Sequence, residues 1–369
     1  MPEAKLRIGV LFGGKSSEHD VSLVSARSVM AALEASGFDV VPIGIDRAGR
    51  WLRGGDPMRV LTGGEYASPL TASGVEGAGH INNEDASAVE PVPLGHILPA
   101  ADVIFPVLHG PMGEDGTVQG LLELVDIPYV GCGVTASAIG MDKLQSKAIF
   151  AAHGLPQLPY WAVSRRRWAH EPDAVLDEIE ARLPYPLFVK PANMGSSIGI
   201  SKARDRAGLA AALDEASRFD RKLVVEQGID AREIEVSVLG NEDPLVSIPG
   251  EIVPGNEFYD YDAKYLLDTS QLLIPAPIGA VLTAEAQRLA RTAFMVMDGA
   301  GLARVDFLLE RVTDRLFLNE VNTMPGFTQI SMYPKLWEAS GISYPELVTR
   351  LVGLAQERHA DRARNLVTR

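Results

Sequence analysis

The chain reads as a mixed α/β protein, and three observations predict that class. Ile8 to Phe12 is a short apolar run closed by Gly13 and Gly14, and helical spacing follows at Val21, Val24, Ser28, Val29 and Leu33. Strand, glycine turn and helix are the opening of an α/β domain. Short apolar runs and helical stretches then recur as far as a helix expected over 283–300. Last comes a β-hairpin, in which two apolar runs flank the polar turn Arg311 to Arg315. A length of 369 residues predicts two or three domains with a sizeable core.

Composition narrows the function. With 46% hydrophobic and 22% charged residues the chain has the make-up of a globular enzyme. A net charge of −14 with no basic stripe argues against a general nucleic-acid binder. A protein this acidic can handle phosphates only by concentrating its lysines locally. Cys132 is the one cysteine, so no disulfide framework forms, and a reducing cytoplasm fits. It sits in the small-residue run 130–134 and reads as a buried spectator thiol. The N-terminal apolar run is too short for a signal peptide, and no apolar stretch approaches about 18 residues, so no membrane is involved.

In chain order, Gly37 is a credible stop for the first helix. The glycines before that helix lack the GxGxxG spacing of a dinucleotide fingerprint. Glu18 stands at the helix start; taken alone, it is a carboxylate favoured by the helix dipole. Residues 53–96 are rich in Gly, Ser, Ala and Asn and read as a surface insertion. Ala101 to Leu108 is a buried strand ending in His109-Gly-Pro-Met-Gly-Glu-Asp-Gly116, before a helix through Val118, Leu121, Leu122 and Val125. Polar residues at the carboxyl end of such a strand are where ligands gather. His109 fits a general base or a substrate hydrogen-bonding group, and Glu114 and Asp115 fit helix capping equally well. Ile127 to Val130 reads as a further strand.

Met141 to Lys147 opens a helix through Ala152 and sets Lys143 and Lys147 on one face; Lys147 reads as solvated. Pro186 to Pro191 is a strand carrying Lys190 at its end, directly before a loop containing Gly195, Ser196, Ser197 and Gly199. Backbone N–H groups of such a loop can point at phosphate oxygens, with the lysine as point charge. It is not a Walker A loop, since GxxxxGK[ST] is missing. Leu223 to Ile229 is a strand, and 232–238 alternates carboxylate with apolar residue. Glu226 and Glu233 suit an adenine amino group and ribose hydroxyls, or simple exposure. Residues 255–267, with three tyrosines and Lys264, read as a lid loop. Ser343 with Glu346 makes a capping box for a last helix with Leu347, Leu351, Leu354 and Ala355 inward, and the Arg-rich tail reads as a solvated end.

The hairpin carries the chemistry. Centring its turn on Thr313 sets Asp306 opposite Glu320 and Arg304 opposite Asn322, on one face with Leu308 and Leu318. Facing carboxylates about 5 Å apart at Cβ repel. A divalent cation resolves the conflict, and the oxygen set Asp306, Glu320 and Asn322 suits Mg²⁺.

A Gly/Ser phosphate loop between strands, an upstream lysine pair and this hairpin together resemble the ATP-grasp superfamily. Within it the chain is similar to the D-alanine–D-alanine ligases over nearly its whole length. The motifs are GGKSSEHDVS at 13–22, HGPMGEDGTVQG at 109–120, MDKLQSK at 141–147, KPANMGSSIGI at 190–200, EQGIDAREIEV at 226–236, YDYDAKY at 259–265, RVDF at 304–307 and NEVNTMPGFTQIS at 319–331. Eight in family order are highly specific; the 53–96 insertion and the C-terminal tail fall outside.

The resemblance implies a three-domain ATP-grasp fold. A Rossmann-like N-terminal domain would cover 1–135, a central ATP-grasp subdomain 136–227 and a C-terminal one 228–369, with the lid at about 250–270. Lys143, Lys190, Ser196 and Ser197 would bind ATP phosphates, Glu226 and Glu233 the adenine and ribose, and Lys264 would also contact ATP. Asp306, Glu320 and Asn322 would carry two Mg²⁺ (or Mn²⁺), with K⁺ a further candidate activator. The first D-alanine would set its ammonium near Glu18 and its carboxylate near Arg304 and the Gly326 amide. Lys264 and Ser331 would hold the carboxylate of the second, and His109 is a candidate for taking its proton. Glu18, Ser196 and Tyr265 would link the three domains. The implied reaction is ATP-dependent joining of two D-alanines through a D-alanyl phosphate, by a cytoplasmic homodimer, for cell-wall precursor synthesis. Tyr265 in the lid resembles the D-alanine-selective pattern rather than that of ligases using D-lactate or D-serine. A nucleotide sensor without catalysis should lack one of Lys143, Lys190, Asp306, Glu320 or Asn322; all five are present.

Overall fold

The computed structural model describes residues 5–53, 56–63, 90–91, 101–253 and 271–366. Most of the expected insertion, and Lys264 and Tyr265 of the expected lid, lie outside these residues.

Three sheets follow one another along the chain. The first holds β1 (Arg7–Gly13), β2 (Asp39–Ile45), β3 (Trp51–Arg53), β4 (Glu90–Pro91) and β5 (Val103–Val107), in the order β4-β3-β2-β1-β5. β1 pairs parallel with β2 and β5. Helices cover both faces of a parallel sheet, which is why these strands are continuously apolar. Ile8, Val10, Phe12, Val103, Phe105 and Val107 face the core that contains the helix His19–Ala35, whereas Leu11, Ile43 and Ile104 pack with Val118 and Leu122 of the helix Thr117–Leu124. The strand expected at 127–130 is reduced to one parallel bridge, Ile104 to Tyr129.

The second sheet is β6 (Tyr160–Ser164), β7 (Leu187–Pro191), β8 (Ser201–Ala203) and β9 (Lys222–Gln227), all antiparallel, in the order β6-β9-β7-β8. Leu187, Val189, Leu223 and Val225 pack on the helices Pro172–Glu180 and Arg206–Phe219. Period-two alternation then turns Phe188, Lys190, Val224 and Glu226 to the opposite face.

The third sheet is β10 (Ala231–Gly240), β11 (Leu245–Val246), β12 (Gly250–Val253), β13 (Gln271–Leu273), β14 (Gly301–Glu310) and β15 (Leu316–Asn322), in the order β13-β12-β10-β14-β15 with β11 beside β10. Ile234, Val236, Val305 and Phe307 bury one face against the helix Gly279–Val296. That helix starts four residues before the expected Thr283 and stops before Asp298, which has φ +63°.

The hairpin β14–β15 has the expected five-residue turn and the expected pairs Arg304–Asn322 and Asp306–Glu320. Its outer half differs. A bulge makes Phe307 pair with Leu318 and Leu308 with Phe317, leaving Asn319 as the extra residue. Leu318 therefore joins the buried core instead of sharing the face of Asp306 and Glu320.

The C-terminal helix Tyr344–Arg362 is capped by Ser343, which accepts from the Glu346 N–H (3.4 Å). It packs back on the first sheet: Leu347, Val348, Leu351 and Val352 share a core with Ile8, Phe105 and Ala26. The reading of the Arg-rich tail as solvated holds for Arg364, whose side chain is 80% exposed, and is corrected for two arginines before it. Arg358 donates to the carbonyls of Gly131 (2.9 Å) and Tyr129 (3.3 Å), and Arg362 pairs with Asp126 (2.9 Å) and Glu123. Cys132 is buried, as expected, and burial pushes its thiol up to about 11.

Candidate active site

Three polar faces meet at one cleft, each produced by local alternation or by a helix start. On the third sheet Glu233, Glu235 and Ser237 of β10 lie opposite Leu308, Asp306 and Arg304 of β14, which in turn lie beside β15. Arg304 holds Asp306 through two parallel hydrogen bonds, both 2.7 Å, and reaches Glu235 at 2.9 Å. Lys143 Nζ sits 3.3 Å from Glu320 Oε2. The repulsion between Asp306 and Glu320 is thus offset by one cation on each carboxylate. Asn322 Oδ1 accepts from the Met324 N–H (3.2 Å). The donor set is all oxygen, two carboxylates and one amide at neighbouring register positions, so it fits a hard divalent ion.

The second sheet contributes Lys190 and Glu226. Glu226 accepts from Lys190 Nζ at Oε2 (2.6 Å) and from Lys147 Nζ at Oε1 (2.5 Å). Burial pushes the Glu226 carboxyl up, but the two ammonium groups outweigh it and hold it at about 2. Burial acts on Lys190 in the opposite sense and is outweighed by Glu226, so its ammonium is raised. The reading of Lys147 as solvated is corrected: it is 2% exposed. Asn319 Oδ1 lies 3.5 Å from Lys190 Nζ, because the bulge that expels Leu318 from this face turns Asn319 toward it.

Lys143 begins the helix Lys143–Ala152, which Asp142 caps through the Leu144 and Gln145 N–H groups. Its ammonium donates to the Met194 carbonyl (2.9 Å) and so ties that helix to the Gly/Ser loop. In the loop Ser196 and Ser197 have φ of +48° and +59°. Left-handed backbone at a side chain costs about 1–3 kcal/mol and gathers at functional sites. Ser196 Oγ donates to Glu18 Oε1, joining second sheet to first.

Glu18 precedes the helix His19–Ala35 without capping it by its side chain, and it is buried. The carboxylate lies against Gly110 and Gly195, where an added Cβ would come within 2.6 and 3.0 Å of Oε2. His109 is also buried. Its Nδ1 lies 2.9 Å from the Met324 carbonyl and its Nε2 3.3 Å from Ser25 Oγ. A carbonyl only accepts, so Nδ1 carries the proton and Nε2 accepts from Ser25. Burial lowers the ring below its usual range, against the pull of Glu18, and the neutral form holds the 324–327 turn. Both ring nitrogens are thus engaged within the protein. Glu114 accepts from the Gly110 N–H (2.8 Å) and is raised by burial and by Glu18; it braces the turn rather than capping the next helix. Asp115 accepts from the Thr117 N–H (3.0 Å) at that helix start, from one residue outside the cap position, which Gly116 holds. Gly326 and Ser331 are neighbours: a Cβ on Gly326 would meet Ser331 Oγ at 3.2 Å.

Of the expected site residues within the described chain, Glu18, His109, Lys143, Lys190, Ser196, Ser197, Glu226, Glu233, Arg304, Asp306, Glu320, Asn322, Gly326 and Ser331 fall around this cleft. Sequence reading missed Lys147, Glu235 and Asn319. Glu235 was reachable, since it follows Glu233 by two along one strand face. Lys147 and Asn319 carried no local signal: one depends on a carboxylate 79 residues away and the other on a bulge.

Comparison with known proteins covers the whole cleft. The D-ala D-ala ligase N-terminus family matches residues 7–132, and the D-ala D-ala ligase C-terminus family matches 149–353. The chain is 54% identical to a D-alanine–D-alanine ligase of Heliobacterium modesticaldum over 367 residues, 99% of this chain and 98% of that one. A Geobacillus kaustophilus D-alanine–D-alanine ligase is 49% identical over 361 residues, 97% and 96% of the two chains. Among solved structures, the D-alanine–D-alanine ligase of Coxiella burnetii matches with TM-score 0.79 at 34% identity, covering 97% and 96%. The VanG D-Ala:D-Ser ligase of Enterococcus faecalis matches with TM-score 0.81, also at 34%, covering 95% and 100%.

Proposed function

The chain belongs to the D-alanine–D-alanine ligase family and joins two D-alanines at the expense of ATP, for peptidoglycan synthesis; we propose that the cleft residues divide this work as follows. A carboxylate is a poor electrophile, so the γ-phosphoryl is first moved onto the first D-alanine. Such transfer depends on charge neutralisation and positioning more than on covalent help. Lys143, Lys190 and the N–H groups around Ser196 and Ser197 receive the phosphates, and Glu226 and Glu233 the adenine and ribose. Asp306, Glu320 and Asn322 hold two Mg²⁺ (or Mn²⁺), which when bound neutralise phosphate charge. Glu18 receives the ammonium of the first D-alanine, and Arg304 with the Gly326 N–H its carboxylate, later the tetrahedral oxyanion. Ser331 and Lys264 take the carboxylate of the second. With both nitrogens of His109 tied to the protein, we assign it to holding the 324–327 turn, not to proton transfer. To Tyr265, outside the described residues, we assign the third member of a link with Glu18 and Ser196, which would keep water from the acyl phosphate. The enzyme works in the cytoplasm as a homodimer, with K⁺ as a candidate activator.

The observation that carries this division is the facing pair Asp306–Glu320 with Arg304 on one carboxylate and Lys143 on the other. Glu320→Ala should abolish D-alanine-dependent ADP release while leaving the melting temperature within a few degrees. Near-normal turnover would sink the metal assignment. With D-alanine alone the wild type should form D-alanyl-D-alanine; a mixed product dominating when D-lactate or D-serine is added would overturn the choice of second substrate.

A further inference from the structure

We propose that Lys147 is a positioning residue for the nucleotide base, the fixed counter-ion that keeps Glu226 charged and aimed into the cleft when Lys190 leaves it for a phosphate. The inference rests on the assignment of Glu226 to the adenine and goes beyond it by naming what holds that carboxylate.

The two lysines on Glu226 are not equivalent. Lys147 is the deeper, its side chain 3% exposed, against 13% for Lys190. Its ammonium lies 5.2 Å above the centre of the Tyr160 ring, and Tyr160 is the register partner of Glu226 between β6 and β9. Its own carbonyl accepts from Gln157 Nε2 (3.0 Å), which pins the helix turn that carries it. Lys147 is therefore fixed at both ends. Lys190 stands at the end of β7, immediately before the Gly/Ser loop, and has a second acceptor in Asn319 Oδ1. It can move toward a phosphate without breaking a packed core.

Charge counting gives the consequence. One buried carboxylate with two ammonium groups carries one positive charge more than it needs. When Lys190 turns to a phosphate, Lys147 alone keeps Glu226 from being buried as an unpaired anion, a strongly unfavourable state. The edge vacated at Oε2 is then a charged acceptor, and it suits a base that presents an N–H. An amino group on the purine satisfies it; a carbonyl oxygen at the same position would set lone pair against lone pair. Lys147 thereby contributes to selecting ATP over inosine triphosphate, which presents a carbonyl at the position of that amino group and carries its hydrogen on N1 instead.

The test uses the full chain, with KM and kcat measured for ATP and for inosine triphosphate at saturating D-alanine. Lys147→Met should raise KM for ATP about tenfold, the loss of one well-placed hydrogen bond, and lower the preference for ATP over inosine triphosphate by a similar factor. Its kcat should stay within about threefold, and Lys147→Arg, which keeps the charge, should restore KM and preference. A folded Lys147→Met protein with wild-type KM and wild-type preference would overturn the inference. Glu226→Gln separates the two levels. If it raises KM for ATP while Lys147→Met is silent, only this inference fails; if Glu226→Gln is silent too, the assignment of adenine to Glu226 falls with it. Should Lys147→Met not fold, the double variant Lys147→Met/Glu226→Gln decides, because removing both charges leaves none unpaired. It should fold and show the base preference of Glu226→Gln alone. A double variant that stays unfolded, or loses further preference, would overturn the proposal.

Discussion

Glu226 is a carboxylate that burial alone would discharge, and the two lysines beside it reverse that outcome. Its folded value of about 2 lies below the ordinary 4.5, so the pairing stabilises the fold fully above pH 4.5 and is lost as pH falls toward 2. The gap in melting temperature between wild type and Glu226→Gln should accordingly be widest above pH 4.5 and narrow on acidification; a gap constant from pH 7 to 3 would contradict it. Lys190, Lys143 and the facing pair Asp306–Glu320 were legible in the sequence because each sits at an element end or a register position that local pattern fixes. Lys147 was not. Its position on the face of Lys143 was readable, but whether that face meets water depends on Glu226 across the fold. His109 shows the same limit: its place after β5 was legible, and its engagement by Met324 and Ser25 was not.

Between elements, the bulge in β15 decides which residues reach the cleft. A regular hairpin about Thr313 would put Leu318 beside Glu320 on the polar face; with Asn319 as the extra residue, Leu318 enters the core and Asn319 approaches Lys190. Bulges add one residue, kink a strand and re-aim side chains, and they gather near active sites. Deleting Asn319 should leave every observed pair of the hairpin in register, since Leu318 already faces Phe307 and Glu320 faces Asp306. The variant should stay folded, destabilised by about 1–2 kcal/mol in urea titration, and lose at least about tenfold in kcat/KM for ATP. Collapse of the fold, or full activity, would show that the bulge does not aim this site. The turn length and the inner register were readable from alternating apolar positions. The bulge was not, because a period-two pattern survives an added residue on either side of it.

Across the whole molecule, the cleft lies where three sheets converge, and each region brings its own groups: Glu18 from the helix start after β1, Lys190 and Glu226 from the second sheet, Arg304 and the facing carboxylates from the third. The sheet sequence was legible in outline from the alternation of apolar runs. The return of the last helix to the first sheet was not, since an amphipathic helix announces an apolar face and not its partner. A chain ending at residue 343 should lose cooperative melting and expose dye-binding apolar surface in the first sheet as well as the third; a truncated protein that still melts in one sharp transition would refute this. Leu347 to Val352 complete a core begun by Ile8 and Phe105. A growing polypeptide therefore cannot close that core when its first strands leave the ribosome. At roughly 5–20 residues per second, on the order of tens of seconds separate the birth of β5 from that of the closing helix. During that interval the apolar side of the first sheet is a natural client for chaperones, and slowing translation late in the message should lower the soluble yield more than slowing it early.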